Sequence, residues 1–125
     1  MSIVRIPEGR ATRPGELFDR ILIDAPCSNT GVMRRRAELR WRITAVELER
    51  LRGVQLGLLR QAAGALRPGG TLVYSTCSLE PEENEQLVAE FRAESPGWNL
   101  ERERQLFPPD EKVDGAYVAV LRRAR

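Results

Sequence analysis

Two rhythms of apolar positions alternate along the chain. Phe18, Ile21, Leu22 and Ile23 form one nearly continuous apolar run, and Leu72, Val73 and Tyr74 form another. Runs this short and dense predict strands buried on both faces, as in a parallel sheet. Between them Leu48, Leu51, Val54, Leu58, Leu59, Ala62 and Leu66 recur at helical spacing. Glu47, Arg50, Arg52, Gln55 and Arg60 are read as facing away from that stripe. Thr44 and Glu47 make a capping box, so a helix is expected from about residue 45 to 66. Pro68-Gly69-Gly70 should stop it and release a strand over 71–76.

The flanks extend the pattern. Residues 3–6 read as a short strand, followed by a turn and a loop punctuated by Pro14-Gly15. Pro81 suits the first turn of a second helix, with Glu82, Glu83 and Glu85 complementing its dipole. Ser95-Pro96-Gly97 stops that helix after Glu94. Trp98 to Glu103 reads as a strand, 104–112 as a charged loop, and Ala116 to Leu121 as a last strand before a basic tail. The order strand, strand, helix, strand, helix, strand, strand predicts an α/β fold. Its sheet should be mostly parallel, with an antiparallel pair at the C-terminal edge.

Length and composition keep this within one ordinary globular domain: 125 residues, 42% hydrophobic and 30% charged. No stretch approaches the ~20 apolar residues that span a bilayer, and the first residues lack a signal-peptide core. The expectation is a soluble, cytoplasmic chain with no membrane partner. A net charge of +2 says little, but 19 of the 20 basic residues are arginine. Arg34, Arg35, Arg36, Arg40 and Arg42 crowd around Trp41. That stretch is either a solvated helix face with one packed indole or an RNA contact combining phosphate binding and stacking.

There is no histidine. Ser-His and Cys-His nucleophile pairs are therefore excluded, and a metal site built on two cysteines is not expected. Each cysteine follows one of the two main strands, Cys27 after Asp24-Ala25-Pro26 and Cys77 after Tyr74-Ser75-Thr76. In open α/β sheets, ligands gather beyond the carboxyl ends of the strands. Cys77 reads either as a reachable nucleophile ahead of a helix N-terminus or as a small buried hydrophobe. The helix dipole would favour its thiolate, and Glu80, Glu82 and Glu83 would oppose it. Asp24 either binds a ring edge or caps local amides. A redox pair would need the two cysteine α-carbons within ~7 Å, and the motifs alone give that no support.

Taken together, Asp24-Ala25-Pro26-Cys27-Ser28 with Gly31, Arg40-Trp41, Pro68-Gly69-Gly70, Tyr74-Ser75-Thr76-Cys77-Ser78, Pro81-Glu82-Glu83-Asn84-Glu85 and Asp114-Gly115-Ala116-Tyr117 resemble the RsmB/NOP (Sun/Fmu) family of RNA cytosine-5 methyltransferases. Ala116 departs from the family's aromatic residue. The resemblance implies a Rossmann-like fold that uses S-adenosylmethionine, and an RNA substrate, ribosomal RNA first of all. By resemblance Cys77 would attack carbon 6 of cytosine and Cys27 would assist release of the methylated base. Asp24 would lie beside cofactor and cytosine, Glu8 would stand where the family has an acidic residue on the adenosine, and Arg34, Arg35, Arg36, Arg40 and Trp41 would contact RNA. The family's Gly-rich methionine loop and ribose-binding acid are not found in residues 1–17. The match is thus to the carboxyl half of a catalytic domain, truncated at its N-terminus. The strand at 18–23 is then expected to lack its usual neighbour and expose an edge, unless an amino-terminal half or a second copy completes it.

Overall fold

The computed structural model describes residues 3–6, 17–28, 44–106 and 115–125, the first four by backbone alone. Five strands form one sheet: β1 (Ile3–Ile6), β2 (Phe18–Asp24), β3 (Leu66–Thr76), β4 (Trp98–Leu106) and β5 (Ala116–Arg123). Their spatial order is β1-β2-β3-β5-β4. β1 and β3 flank β2 in parallel, while β5 pairs antiparallel with both β3 and β4. The sequence predicts this mixed sheet, with its parallel part first. One expectation fails: the edge of β2 opposite β3 is not bare, because Ile3–Ile6 pairs along Arg20–Ile23.

Helix α1 (Ala45–Ala65) begins where the cap predicts it, with the Thr44 hydroxyl accepting the Glu47 N–H at 3.1 Å. The Glu47 carboxylate turns to Arg50, 2.8 Å away, and that guanidinium holds it below the usual carboxylate range. The helix ends one residue early, and Leu66 is already extended. Pro68-Gly69-Gly70 therefore lies inside β3 rather than before it, in a register break between the pairs Phe18–Leu66 and Arg20–Thr71. Gly70 is there because a Cβ would come within 2.9 Å of the Asp19 carbonyl oxygen on β2. Helix α1 carries no basic residue in its last turn. Arg123 of β5 supplies that function, donating from Nη1 to the carbonyls of Ala63 and Leu66.

A 3₁₀ turn (Pro81–Glu83) and helix α2 (Glu85–Glu94) follow β3. Leu58, Leu59 and Ala62 of α1 and Leu87, Val88 and Phe91 of α2 join Ile21, Ile23, Leu72, Tyr74, Ala119 and Leu121 in a single core. Among the described residues both helices thus cover one face of the sheet. The expectation of burial on both faces is corrected: along β2 and β3 burial alternates, and Leu22 and Val73 stay partly exposed.

Candidate active site at the carboxyl ends of β2 and β3

Parallel pairing brings the two cysteines together. Asp24 is the register partner of Ser75, and the Ala25 N–H donates to the Ser75 carbonyl at 2.9 Å. Asp24 and Ser75 therefore stand at the same level, three residues before Cys27 and two before Cys77. The thiols meet at 3.4 Å between sulfurs, with no disulfide. The proximity to which the motifs lent no support follows from the topology.

Cys27 is buried and Cys77 is half-buried. The thiol of Cys77 is lowered to about 7, chiefly because Cys27 hydrogen-bonds to its sulfur; a backbone hydrogen bond helps, while burial and the charges of Asp24 and Glu83 work against it. The decisive partner is thus a second thiol, which a sequence reading that balances the helix dipole against Glu80, Glu82 and Glu83 does not supply. A sulfur that ionises near neutrality and stays half-exposed is a competent nucleophile. Asp24 sits exposed at the end of β2, close enough for its charge to reach Cys77.

Beneath the thiols lies a buried polar cluster that sequence reading missed. Glu83 is fully buried, and its carboxylate accepts the Ser28 N–H at 2.9 Å, the Ser28 hydroxyl at 2.6 Å, the Gln55 amide at 3.1 Å and the Ser78 hydroxyl. The expected role of Glu83 as a dipole-complementing residue is corrected by that burial. Gln55, read as facing away, is also buried and donates to the Pro26 carbonyl at 2.8 Å. Buried Asn84 accepts from the Thr76 hydroxyl at 2.7 Å and donates to the Ser78 carbonyl and Gln105 Oε1, each at 2.8 Å. The Tyr74 hydroxyl donates to the Glu83 carbonyl at 2.9 Å, and burial pushes that phenol well above its ordinary range.

Glu8 and the stretch Arg34, Arg35, Arg36, Arg40 and Trp41 lie outside the described residues. Two arginines of the tail have structural partners: Arg122 pairs with Glu101 at 3.2 Å, and Arg123 caps α1. A cleft of about 300 Å³ lined by Asp19, Arg20, Arg67–Thr71 and Arg122 opens at the amino ends of β2 and β3, far from the thiols. For a bound cofactor, the described residues at the cysteine end offer the exposed carboxylate of Asp24, which suits an amine or hydroxyl donor.

The family model for 16S rRNA methyltransferase RsmB/F matches residues 4–122. Ribosomal RNA small subunit methyltransferase B of Vibrio vulnificus is 47% identical over 113 residues, covering 86% of this chain and 26% of its own length. The probable enzyme of that name from Synechocystis is 42% identical, over 99% of this chain and 32% of its own. The chain thus spans about a quarter to a third of these curated relatives. Among solved structures, NSun6 from Pyrococcus horikoshii with SFG superposes with a TM-score of 0.76 at 32% identity, over 89% of this chain and 31% of that one. A methyltransferase homologue from the same organism gives 0.71 at 30% identity, over 86% and 40%. With paired thiols at its strand ends and the family model matched from residue 4 to residue 122, the chain belongs to the 16S rRNA methyltransferase RsmB/F family.

Proposed function

We propose that this chain carries the reactive centre of an RNA cytosine-5 methyltransferase acting on ribosomal RNA in the cytoplasm, with S-adenosylmethionine as methyl donor. The observation that carries the reading is the 3.4 Å approach of Cys27 and Cys77 at adjacent strand ends. The Cys77 thiolate attacks carbon 6 of an unstacked cytosine, forming the S–C bond while the C5–C6 π pair moves onto carbon 5. Asp24 holds the polar edge of the ring as charge shifts toward it. The cofactor, when bound, supplies the methyl group that carbon 5 takes up. Cys27 then assists elimination: its sulfur, as thiolate, takes the carbon 5 proton, the C–H pair re-forms the C5–C6 double bond, and the Cys77 thiolate departs from carbon 6 with the S–C pair. Cofactor contacts fall to Asp24 and Glu8 in this chain, and RNA contacts to Arg34, Arg35, Arg36, Arg40 and Trp41. The rest of the cofactor cradle is assigned to the portion of the curated relatives that this chain does not span.

The test replaces the matching quarter of the Vibrio vulnificus relative with this chain and assays methyl transfer to ribosomal RNA. Cys77→Ala should abolish transfer and form no adduct. Cys27→Ala should accumulate a covalent protein–RNA adduct visible as a shifted band on a denaturing gel. An active Cys77→Ala variant, or a Cys27→Ala variant that forms no adduct, would overturn the assignment. The alternative, an inactive RNA-binding fragment, leaves the lowered Cys77 thiol without a task. It also relied on the Arg-rich tail, whose Arg122 and Arg123 are engaged within the fold.

A further inference from the structure

We infer that Glu83 is a positioning residue: its buried carboxylate ties the Cys27 loop to the Cys77 loop and thereby sets the approach of the two thiols. The inference deepens the proposed function and rests on Cys77 as the nucleophile.

Both serines that Glu83 holds stand one residue past a thiol, Ser28 after Cys27 and Ser78 after Cys77. Oε1 takes the Ser28 N–H and the Gln55 amide, and Oε2 takes the two serine hydroxyls. Those hydroxyls are themselves only 3.3 Å apart. Four donors on two oxygens is a complement that a carboxylate satisfies without remainder. The clamp is anchored to the fold at several points. The Glu83 N–H donates to the Glu80 carbonyl at 3.0 Å, and the Glu83 carbonyl receives the Tyr74 hydroxyl. Gln55 ties the same carboxylate to the Pro26 carbonyl, just ahead of Cys27. The Ser78 hydroxyl also accepts the Glu80 N–H at 2.9 Å, closing the turn after Cys77. Among the described contacts, the carboxylate is the strong link between the two serines, whose own hydroxyl contact is longer.

Charge and position act in opposite directions at Cys77, and this makes the inference testable. Among the described residues, those whose hydrogen bond or charge reaches its sulfur are Cys27, Asp24 and Glu83, together with a backbone hydrogen bond. Removing the negative charge of Glu83 by itself favours the thiolate. Loss of the clamp lets Cys27 move away and disfavours it.

The experiment follows iodoacetamide alkylation of Cys77 against pH in the 125-residue chain, read by peptide mass spectrometry, with folding checked by circular dichroism. In the parent the midpoint is expected at about pH 7. Glu83→Ala should move it up toward the ordinary thiol value of roughly 8.5, an approximately 15-fold slower reaction at pH 7. Glu83→Gln keeps an acceptor for Ser28 and Gln55 and an amide for the rotated hydroxyls, so its midpoint should stay at or below that of the parent. If Glu83→Ala does not fold, Ser78→Ala, which cuts only the Cys77 side of the clamp, should shift the midpoint upward by a smaller amount. A residue that merely supports folding would lower the melting temperature and leave the midpoint in place. A folded Glu83→Ala or Ser78→Ala protein with an unmoved or lowered midpoint overturns the inference. The assay contains no RNA and no methyl donor, so its outcome is independent of whether the grafted chain forms an adduct.

Discussion

The two ends of the β2–β3 pair handle polar groups in opposite ways. At the carboxyl ends, Ser28, Gln55, Thr76, Ser78, Glu83 and Asn84 are all buried and joined by hydrogen bonds. At the amino ends, Arg67 pairs with Asp19 and Arg122 with Glu101, and all four side chains are more than a third exposed. Burying a carboxylate is unfavourable unless every oxygen finds a donor, whereas an exposed ion pair contributes little and constrains little. The reactive end thus carries an arrangement with one workable geometry, and the far end one that tolerates many. The same sheet is held firmly where two thiols must meet and loosely where nothing must.

Substitutions sharpen the contrast. Asn84→Ala would take the acceptor from the buried Thr76 hydroxyl proton, leave the Ser78 carbonyl only its longer 3.4 Å contact from Gln105, and remove one partner of Gln105. It should cost about 2–4 kcal/mol in urea unfolding, and a loss below ~1 kcal/mol would mean that the cluster relaxes as easily as a surface. Arg67→Ala at the far end should cost under ~1 kcal/mol and become harder to detect as salt is added. A larger effect there would erase the distinction between the ends.

How much of this is visible in the chain differs element by element. The strands, both helices and the Thr44 cap follow from periodicity and local chemistry, which are properties of neighbouring residues. The thiol pair is a property of topology: Cys27 and Cys77 are 50 residues apart, and only the parallel register of Asp24 with Ser75 makes them adjacent. Gln55 was within reach of the pattern, since it sits four residues after Leu51 and three before Leu58 on the stripe that α1 buries. Its polarity, rather than its position, sends it to the surface in a sequence reading. Glu83 has no such signal, because a glutamate after a proline at a helix start is ordinarily a solvated dipole partner; its donors come from three other segments. Arg123 misleads for the same reason, as the carbonyls it caps belong to a helix some sixty residues earlier in the chain. The cofactor role proposed for Glu8 rests on family resemblance alone, whereas the RNA role proposed for Arg34–Trp41 rests also on arginines gathered around one indole.

The central claim is that the fold turns two ordinary thiols into a pair, with Cys27 hydrogen-bonding to the sulfur of Cys77 and favouring its thiolate. The most direct test compares the pH dependence of Cys77 alkylation in the parent chain and in Cys27→Ala. The parent should react with a midpoint at about pH 7. The variant has lost the group that stabilises the charged form, so its midpoint should rise toward roughly 8.5. One midpoint shared by both proteins, wherever it falls, would contradict the account.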